Sequence, residues 1–246
     1  ANAFEAKFGA CKKLGDWTRA IMLLQEMRSC RVEPTSRCYS AAMSVFGVAA
    51  RWRCALALLE DVRKSALDSV AIYTAAINAC GRGTQYEQAA ILMTDMRQRR
   101  TLPNVVTYSA AISAYGKGTE FEQALRLMED MQLNEIVPNV ISFSAAITAC
   151  EKGTQYEKAM LLMEDMRRSG ILPDVIICSA AISACEKAGQ YDKALSLMDN
   201  MRQQGVVPNV ITYNATISAC EMEGQWEQAL ALMDQMQAQG LLPNVI

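Results

Sequence analysis

The residues here with the most capacity for chemistry are nine cysteines, several paired carboxylates, and a recurring set of small hydroxyl side chains followed by lysines. Histidine is absent, which removes imidazole general bases, Ser-His-Asp and Cys-His constellations and histidine metal sites together. The cysteines are odd in number and include no C-x-x-C pair, the spacing that zinc and redox motifs need. Cys11, Cys80, Cys150, Cys185 and Cys220 share one 35-residue ruler with Phe46 and Tyr115, one interval being a residue short. A position that takes Cys, Phe or Tyr wants a medium apolar group. It reads as a reduced core thiol in a reducing compartment or an organelle interior. The carboxylate pairs Glu60-Asp61, Glu129-Asp130 and Glu164-Asp165 keep the same period. Acids that recur with every unit read as solvated helix surface, not as an acid–base pair. No enzymatic activity, cofactor or metal is expected.

The hydroxyls and cations fall on one stripe. Val106, Ser109, Ser113 and Lys117 are separated by three, four and four residues, the spacing of one helix face. Across the chain the second member of this stripe is Glu5, Ser40, Thr74, Ser109, Ser144, Ser179 and Asn214. The third is Gly9, Ser44, Asn78, Ser113, Thr148, Ser183 and Ser218. An ordinary solvated face would favour Glu, Lys and Gln, which are better helix formers. Small hydrogen-bonding groups instead suit the edge-on approach of a flat ligand. The fourth member is Lys13, Val48, Arg82, Lys117, Lys152, Lys187 and Met222, five cations and no acid. The acids concentrate on other segments. A formal charge of −2 therefore conceals a segregated field. Lysine near a helix C-terminus also suits the macrodipole, so the ribbon has that second explanation.

The elements that carry the stripe follow from the repeat. Pro103, Pro138, Pro173, Pro208 and Pro243 are 35 apart, and Pro34 lies 69 before Pro103 with Asp68 in the intermediate place. Ala20, Ala55, Ala89, Ala124, Ala159, Ala194 and Ala229 form a second ruler, and Trp17, Trp52, Tyr86, Phe121, Tyr156, Tyr191 and Trp226 a third. In the unit from Pro103 to Val137, the residues Val105, Tyr108, Ala111, Ile112 and Tyr115 have helical spacing. Gly116 and Gly118 break the chain, and a second helix runs from about 120 to 132 with Phe121, Ala124, Leu125, Met128 and Met131 on one face. The methionines at 27, 96, 131, 166, 201 and 236, with Val62 in the short unit, are core. One helix pair is too small to bury its apolar face, so stacked pairs share a core. The expected fold is all-α, a right-handed α-solenoid of about seven helix-turn-helix repeats. The repeats span about 1–34, 35–68, 69–103, 104–138, 139–173, 174–208 and 209–243 of a single solenoid over 1–246, with an eighth opening at 244–246. Neither end reads as a solvating cap, so the native protein is expected to continue. With 51% hydrophobic residues but no run near 18, a packed core and no membrane insertion are expected. Residues 1–15 lack the order of a secretory signal.

The phrase Pro-Asn-Val-Ile-Thr-Tyr-Asn at 208–214, followed by Ala229-Leu230 and by Met236, Gly240 and Pro243, resembles the pentatricopeptide repeat. The period separates it from the 34-residue tetratricopeptide repeat. All units have the plain 35-residue form. The resemblance implies single-stranded RNA binding in a plastid or mitochondrion, one nucleotide per repeat, parallel to the RNA. It also implies two base readers per unit: Thr74 with Asn104, Ser109 with Asn139, Ser144 with Asp174, Ser179 with Asn209, and Asn214 with Asn244. By the family's code these favour A-A-G-A-(C/U). Glu5 with Thr35 and Ser40 with Ser69 match no code pair. Val106, Ile141, Ile176 and Ile211 would sandwich bases, whereas Arg37 and Ala71 depart from that pattern; ordinary core is the other reading of the aliphatics. Lys13, Arg82, Lys117, Lys152 and Lys187 would hold phosphates, giving a log–log salt slope of roughly −3.5 for five contacts. The competing reading is a non-catalytic protein-interaction scaffold within a large organellar complex. The acidic pI of ≈ 5.4, the two uncoded N-terminal units and the Ala-rich first helices favour it.

Overall fold

A computed structural model describes residues 2–65, 67–118 and 120–242. Their secondary structure is fourteen α-helices: α1 (Asn2–Leu14), α2 (Trp17–Ser29), α3 (Ser36–Val48), α4 (Trp52–Lys64), α5 (Val70–Arg82), α6 (Tyr86–Gln98), α7 (Val105–Lys117), α8 (Phe121–Leu133), α9 (Val140–Lys152), α10 (Tyr156–Arg168), α11 (Val175–Lys187), α12 (Tyr191–Gln203), α13 (Val210–Met222) and α14 (Trp226–Ala238). Odd-numbered helices are the first of each pair and even-numbered the second. They form two compact units, Ala1–Gly118 with Arg126–Val137, and Thr119–Leu125 with Pro138–Ile246. Within each unit, first helices pack on neighbouring first helices and on their own second helix.

Local chemistry sets the helix boundaries. The first helices α3, α5, α7, α9, α11 and α13 are capped by Thr35, Ser69, Asn104, Asn139, Asp174 and Asn209, each accepting the third-residue amide. Such a cap contributes about 1 kcal/mol. At Asn104, Asn139 and Asn209 the N3 hydroxyl of Thr107, Ser142 or Thr212 closes a capping box. The expected break at Gly116 is absent. α7 runs through Gly116 to Lys117 and stops at Gly118, because the buried Gly116 backbone fits the helix and nothing there demands a turn. The second helices end in left-handed stops. In the second unit these are Gly170, Gly205 and Gly240, at φ 73, 74 and 72°; in the first they are Arg31, Arg100 and Glu135, at φ 54, 57 and 58°.

The alanine ruler and the periodic methionines and cysteines become the core. Ala20, Ala55, Ala89, Ala124, Ala159 and Ala194 are fully buried, as are Met27, Met96, Met131, Met166 and Met236. Cys80, Cys150, Cys185 and Cys220 are buried free thiols. Burial pushes the Cys80, Cys150 and Cys185 thiols up to about 11, so they stay protonated and unreactive at neutral pH. The aromatic ruler covers the ends of the first helices: a Cβ at Gly153 would lie 2.3 Å from the Phe121 ring.

The acidic second helices are not simply solvated. Asp61, Asp95 and Asp130 tie successive repeats together, since a second-helix arginine of one repeat reaches the aspartate of the next. Arg28 donates to Asp61 (2.7 Å), Arg63 to Asp95 (2.6 Å) and Arg97 to Asp130. A first-helix tyrosine closes two of these clusters, Tyr73 donating to Asp95 (2.5 Å) and Tyr108 to Asp130 (2.8 Å). Asp68, standing in the Pro place, accepts from Arg99 (3.2 Å), which also reaches Asp95 (3.2 Å). Burial and the Asp95 bond push the Tyr73 phenol up to about 12. Burial alone would raise the Asp95 carboxyl, but the Tyr73, Arg63 and Arg99 donors outweigh it and hold it below its ordinary value. Of the acidic pairs, Glu60, Glu129 and Glu164 are exposed as expected, and Asp165 is half-exposed with a partner, among the described residues, only on its own helix, Arg168.

Candidate nucleic-acid interface

The stripe begins at the cap of each first helix and runs down its face. Val106, Ile141, Ile176 and Ile211 lie two residues past that cap and are 53, 60, 63 and 62% exposed. They are not core, so that alternative is excluded by position. Each stands beside a capping Asn or Asp and one turn before a small polar residue. Exposed aliphatics that recur on a fixed register need a reason.

In the first unit, α3, α5 and α7 enclose a cleft of about 430 Å³ lined by Ser44, Val70, Ala71, Thr74, Ala75, Asn78, Asn104 and Val106. The expected reader pair Thr74 and Asn104 and the expected sandwiching Val106 therefore meet in one cavity. Thr74 is buried on its floor, its Oγ1 2.7 Å from Thr107 Oγ1. The Asn104 carbonyl oxygen accepts from Val106 N (3.1 Å) and Thr107 N (3.0 Å), which leaves its amide nitrogen outward. Ser109 is also buried and donates to the Val105 carbonyl (2.7 Å).

The second unit repeats the arrangement. Ser179 is buried, 2.7 Å from both Val175 O and Thr212 Oγ1. Asn209 caps α13 through Thr212 N (2.9 Å), and Asp174 caps α11 through Ile176 N (3.0 Å) and Ile177 N (2.9 Å). Asn139 caps α9 through Ser142 N (3.0 Å). Ser144 and Asn214 are half-buried. Asn244, the expected partner of Asn214, lies outside the described residues. The readers are thus deeper than their polarity suggests, and the capping residues serve the fold whatever else they do.

Lys13, Arg82, Lys117, Lys152 and Lys187 are all exposed near the far end of the first helices. The ribbon is less purely basic than the stripe alone implied. Glu151, one residue before Lys152, accepts from Lys187 of the next repeat at 2.9 Å. In the first unit a smaller cavity, about 160 Å³, is lined by Lys12, Ser44, Gly47, Val48, Ala75, Asn78 and Arg82. Lys12, not Lys13, joins Arg82 there, because the phase of α1 turns the neighbouring residue toward α3. Sequence reasoning also missed a second exposed apolar series at Leu102, Val137, Leu172, Val207 and Leu242. Its 35-residue period, one residue before each Pro, was the available signal. Among the described residues no helix is long and apolar enough to cross a membrane.

Helix pairs of fixed length, stacked through their first helices and carrying a regular polar–aliphatic stripe, define an α-solenoid of helical-hairpin repeats. Family models match most of this chain: the pentatricopeptide repeat domain at 161–222, the PPR repeat family at 68–117, 103–152 and 208–246, and the PPR repeat at 8–32 and 141–171. The chain belongs to the pentatricopeptide repeat family. No curated protein matches it. Among solved structures it is similar to the pentatricopeptide repeat protein PPR10 in complex with an 18-nt psaJ RNA element (TM-score 0.81, 18% identity, 98% of this chain and 35% of that one). PPR10 from maize alone gives a TM-score of 0.71 at 28% identity, over 96% of this chain and 34% of that one. The PPR domain of Arabidopsis thaliana protein-only RNase P 1 in complex with tRNA gives 0.62 at 15%, over 68% and 89%. The chain spans about a third of the length of the PPR10 chains.

Proposed function

We propose that this chain is a non-catalytic, sequence-selective single-stranded RNA-binding module of a plastid or mitochondrion, holding one nucleotide per repeat and acting by occluding or presenting its RNA. The observation that carries this reading is the exposed register of Val106, Ile141, Ile176 and Ile211 beside capped Asn and Asp residues. Flat bases would cover those aliphatics, and stacking of this kind contributes about 1–3 kcal/mol per base. The readers are Thr74 with Asn104, Ser109 with Asn139, Ser144 with Asp174, Ser179 with Asn209, and Asn214 with Asn244. They favour A-A-G-A-(C/U). The cations at 13, 82, 117, 152 and 187 would meet phosphates, and the Lys187–Glu151 pair makes the salt slope shallower than the roughly −3.5 of five free contacts. That RNA is found with PPR10 and with the RNase P 1 domain supports the same ligand class.

The test is Asp174→Asn, which replaces an outward acceptor with an outward donor. It should move preference at the third nucleotide from G to A, read as relative affinities for the two RNAs. Unchanged preference would refute the reader assignment. A scaffold role is the second reading, favoured by the exposed series Leu102, Val137, Leu172, Val207 and Leu242, which a protein partner would cover. Binding to a partner complex that survives nuclease treatment, with no retention on RNA at low salt, would support it.

A further inference from the structure

We infer that the buried hydroxyls of Thr107 and Thr212 are positioning residues that set the hydrogen-bond polarity, and hence the base preference, of the reader pairs beside them. This rests on the RNA-binding reading above. Both threonines are fully buried, so neither would touch a base. Each stands at N3 of a first helix, between the two readers of the preceding repeat. Thr107 Oγ1 is 3.1 Å from Asn104 Oδ1 and 2.7 Å from Thr74 Oγ1; Thr212 Oγ1 is 3.0 Å from Asn209 Oδ1 and 2.7 Å from Ser179 Oγ.

A hydroxyl has one proton. For every contact in the first chain to be a hydrogen bond, Thr107 donates to Asn104 and Thr74 donates to Thr107. The Asn104 oxygen is then held inward by the Thr107 hydroxyl and two backbone amides, and its NH₂ faces the cleft. Thr74, its proton turned inward, offers the cleft only lone pairs. In the second chain the Ser179 proton has two inward acceptors, Val175 O at 2.7 Å and Thr212 Oγ1 at 2.7 Å, so its outward side is again an acceptor. Each of these pairs therefore presents an acceptor from the hydroxyl and a donor from the amide.

The Ser144 and Asp174 pair is built the other way. Ile177 occupies N3 there, and the Ser144 hydroxyl has no partner among the described residues. Its proton is free to turn outward, while Asp174 uses one oxygen on Ile176 N and Ile177 N and offers the other. That pair presents a donor from the hydroxyl and an acceptor from the carboxylate. Adenine pairs an exocyclic donor with a ring acceptor, whereas guanine pairs an exocyclic acceptor with ring and amino donors. Opposite reader polarities thus select opposite purines, and the N3 side chain decides which polarity the hydroxyl adopts.

The experiment measures A-over-G affinity ratios at the nucleotide opposite each unit, using the whole 246-residue chain and single-stranded RNAs carrying A-A-G-A-C or one A→G change. Thr107→Val keeps the side-chain shape and deletes the hydroxyl. It should lower the ratio at the first nucleotide about fivefold to tenfold, the worth of one net hydrogen bond, and leave the other nucleotides unchanged. Thr107→Ser should retain the wild-type ratio. Thr212→Val should lower the ratio at the fourth nucleotide by less, about twofold, because Ser179 still donates to Val175 O and only the hold on Asn209 is lost; it decides the matter if Thr107→Val melts early. Wild-type preference for A with an undiminished ratio in the Val variants overturns the inference alone. A wild type with no preference at either nucleotide overturns the RNA reading and takes this inference with it.

Discussion

The two compact units are built from one repeat but differ in what joins their repeats. In the first unit the arginine–aspartate links run unbroken from Arg28–Asp61 through Arg63–Asp95 to Arg97–Asp130. In the second, Cys178 stands where Tyr73 and Tyr108 stand, Asn200 replaces the aspartate, and no ion pair forms at Arg167 among the described residues. Arg202 recovers part of the pattern by donating to Gln235 (2.7 Å) and Tyr213 (3.1 Å). The helix stops differ in the opposite sense, with glycine in the second unit and Arg or Glu forced to positive φ in the first. The proposed reader pairs follow neither feature: the two that match no code pair lie in the first unit, where the ladder is complete. Second helices and their stops govern cohesion, and the proposed RNA surface lies on the first helices, so the two vary separately.

The sharpest way to break this contrast is Asp95→Asn. It leaves Arg63 and Tyr73 without a carboxylate in a partly buried site and should destabilise the protein by about 3 kcal/mol, measured by urea unfolding. The corresponding Asn200→Ala in the second unit should cost less than about 1 kcal/mol. Equal effects would abolish the distinction.

Acid titration asks the same question. Because the folded Asp95 carboxyl titrates below its ordinary 3.8, its contribution is complete above that value and is lost as pH falls through the lower folded one. The wild type should lose stability below about pH 4 more steeply than Asp95→Asn.

Gly170→Ala should cost about 1 kcal/mol. Nothing lies within 4 Å of the added Cβ, so the cost is backbone strain at φ 73°. Arg100→Gly, at the matching stop of the first unit, should gain a few tenths. Of the same small order is Asn200→Asp, which gives Arg167 a carboxylate and should add at most about 0.5 kcal/mol in a thermal melt.

Periodicity made most of the fold legible, because helix pairs of constant length place alanine, methionine and cysteine on the same buried face in every repeat. The ladder was not legible. Its members are 11, 22 and about 33 residues apart, and only stacking brings such distant positions together. Gly116 misled because glycine is tolerated inside a helix whose face is packed. At the site, residue type revealed the stripe but not its depth. Thr74, Ser109 and Ser179 look like surface hydroxyls in sequence, yet they are buried and already bonded. Lys12 and Glu151 were passed over because each lies one residue off the ideal stripe, and small changes in helix phase decide such cases.

Selection of bound sequences from a random single-stranded RNA pool tests the central claim most directly. Enrichment of A-A-G-A followed by a pyrimidine, with guanine giving way to adenine in Asp174→Asn, is the predicted result. Recovery of the pool without enrichment, at a salt concentration low enough for the chain to retain RNA, would contradict it.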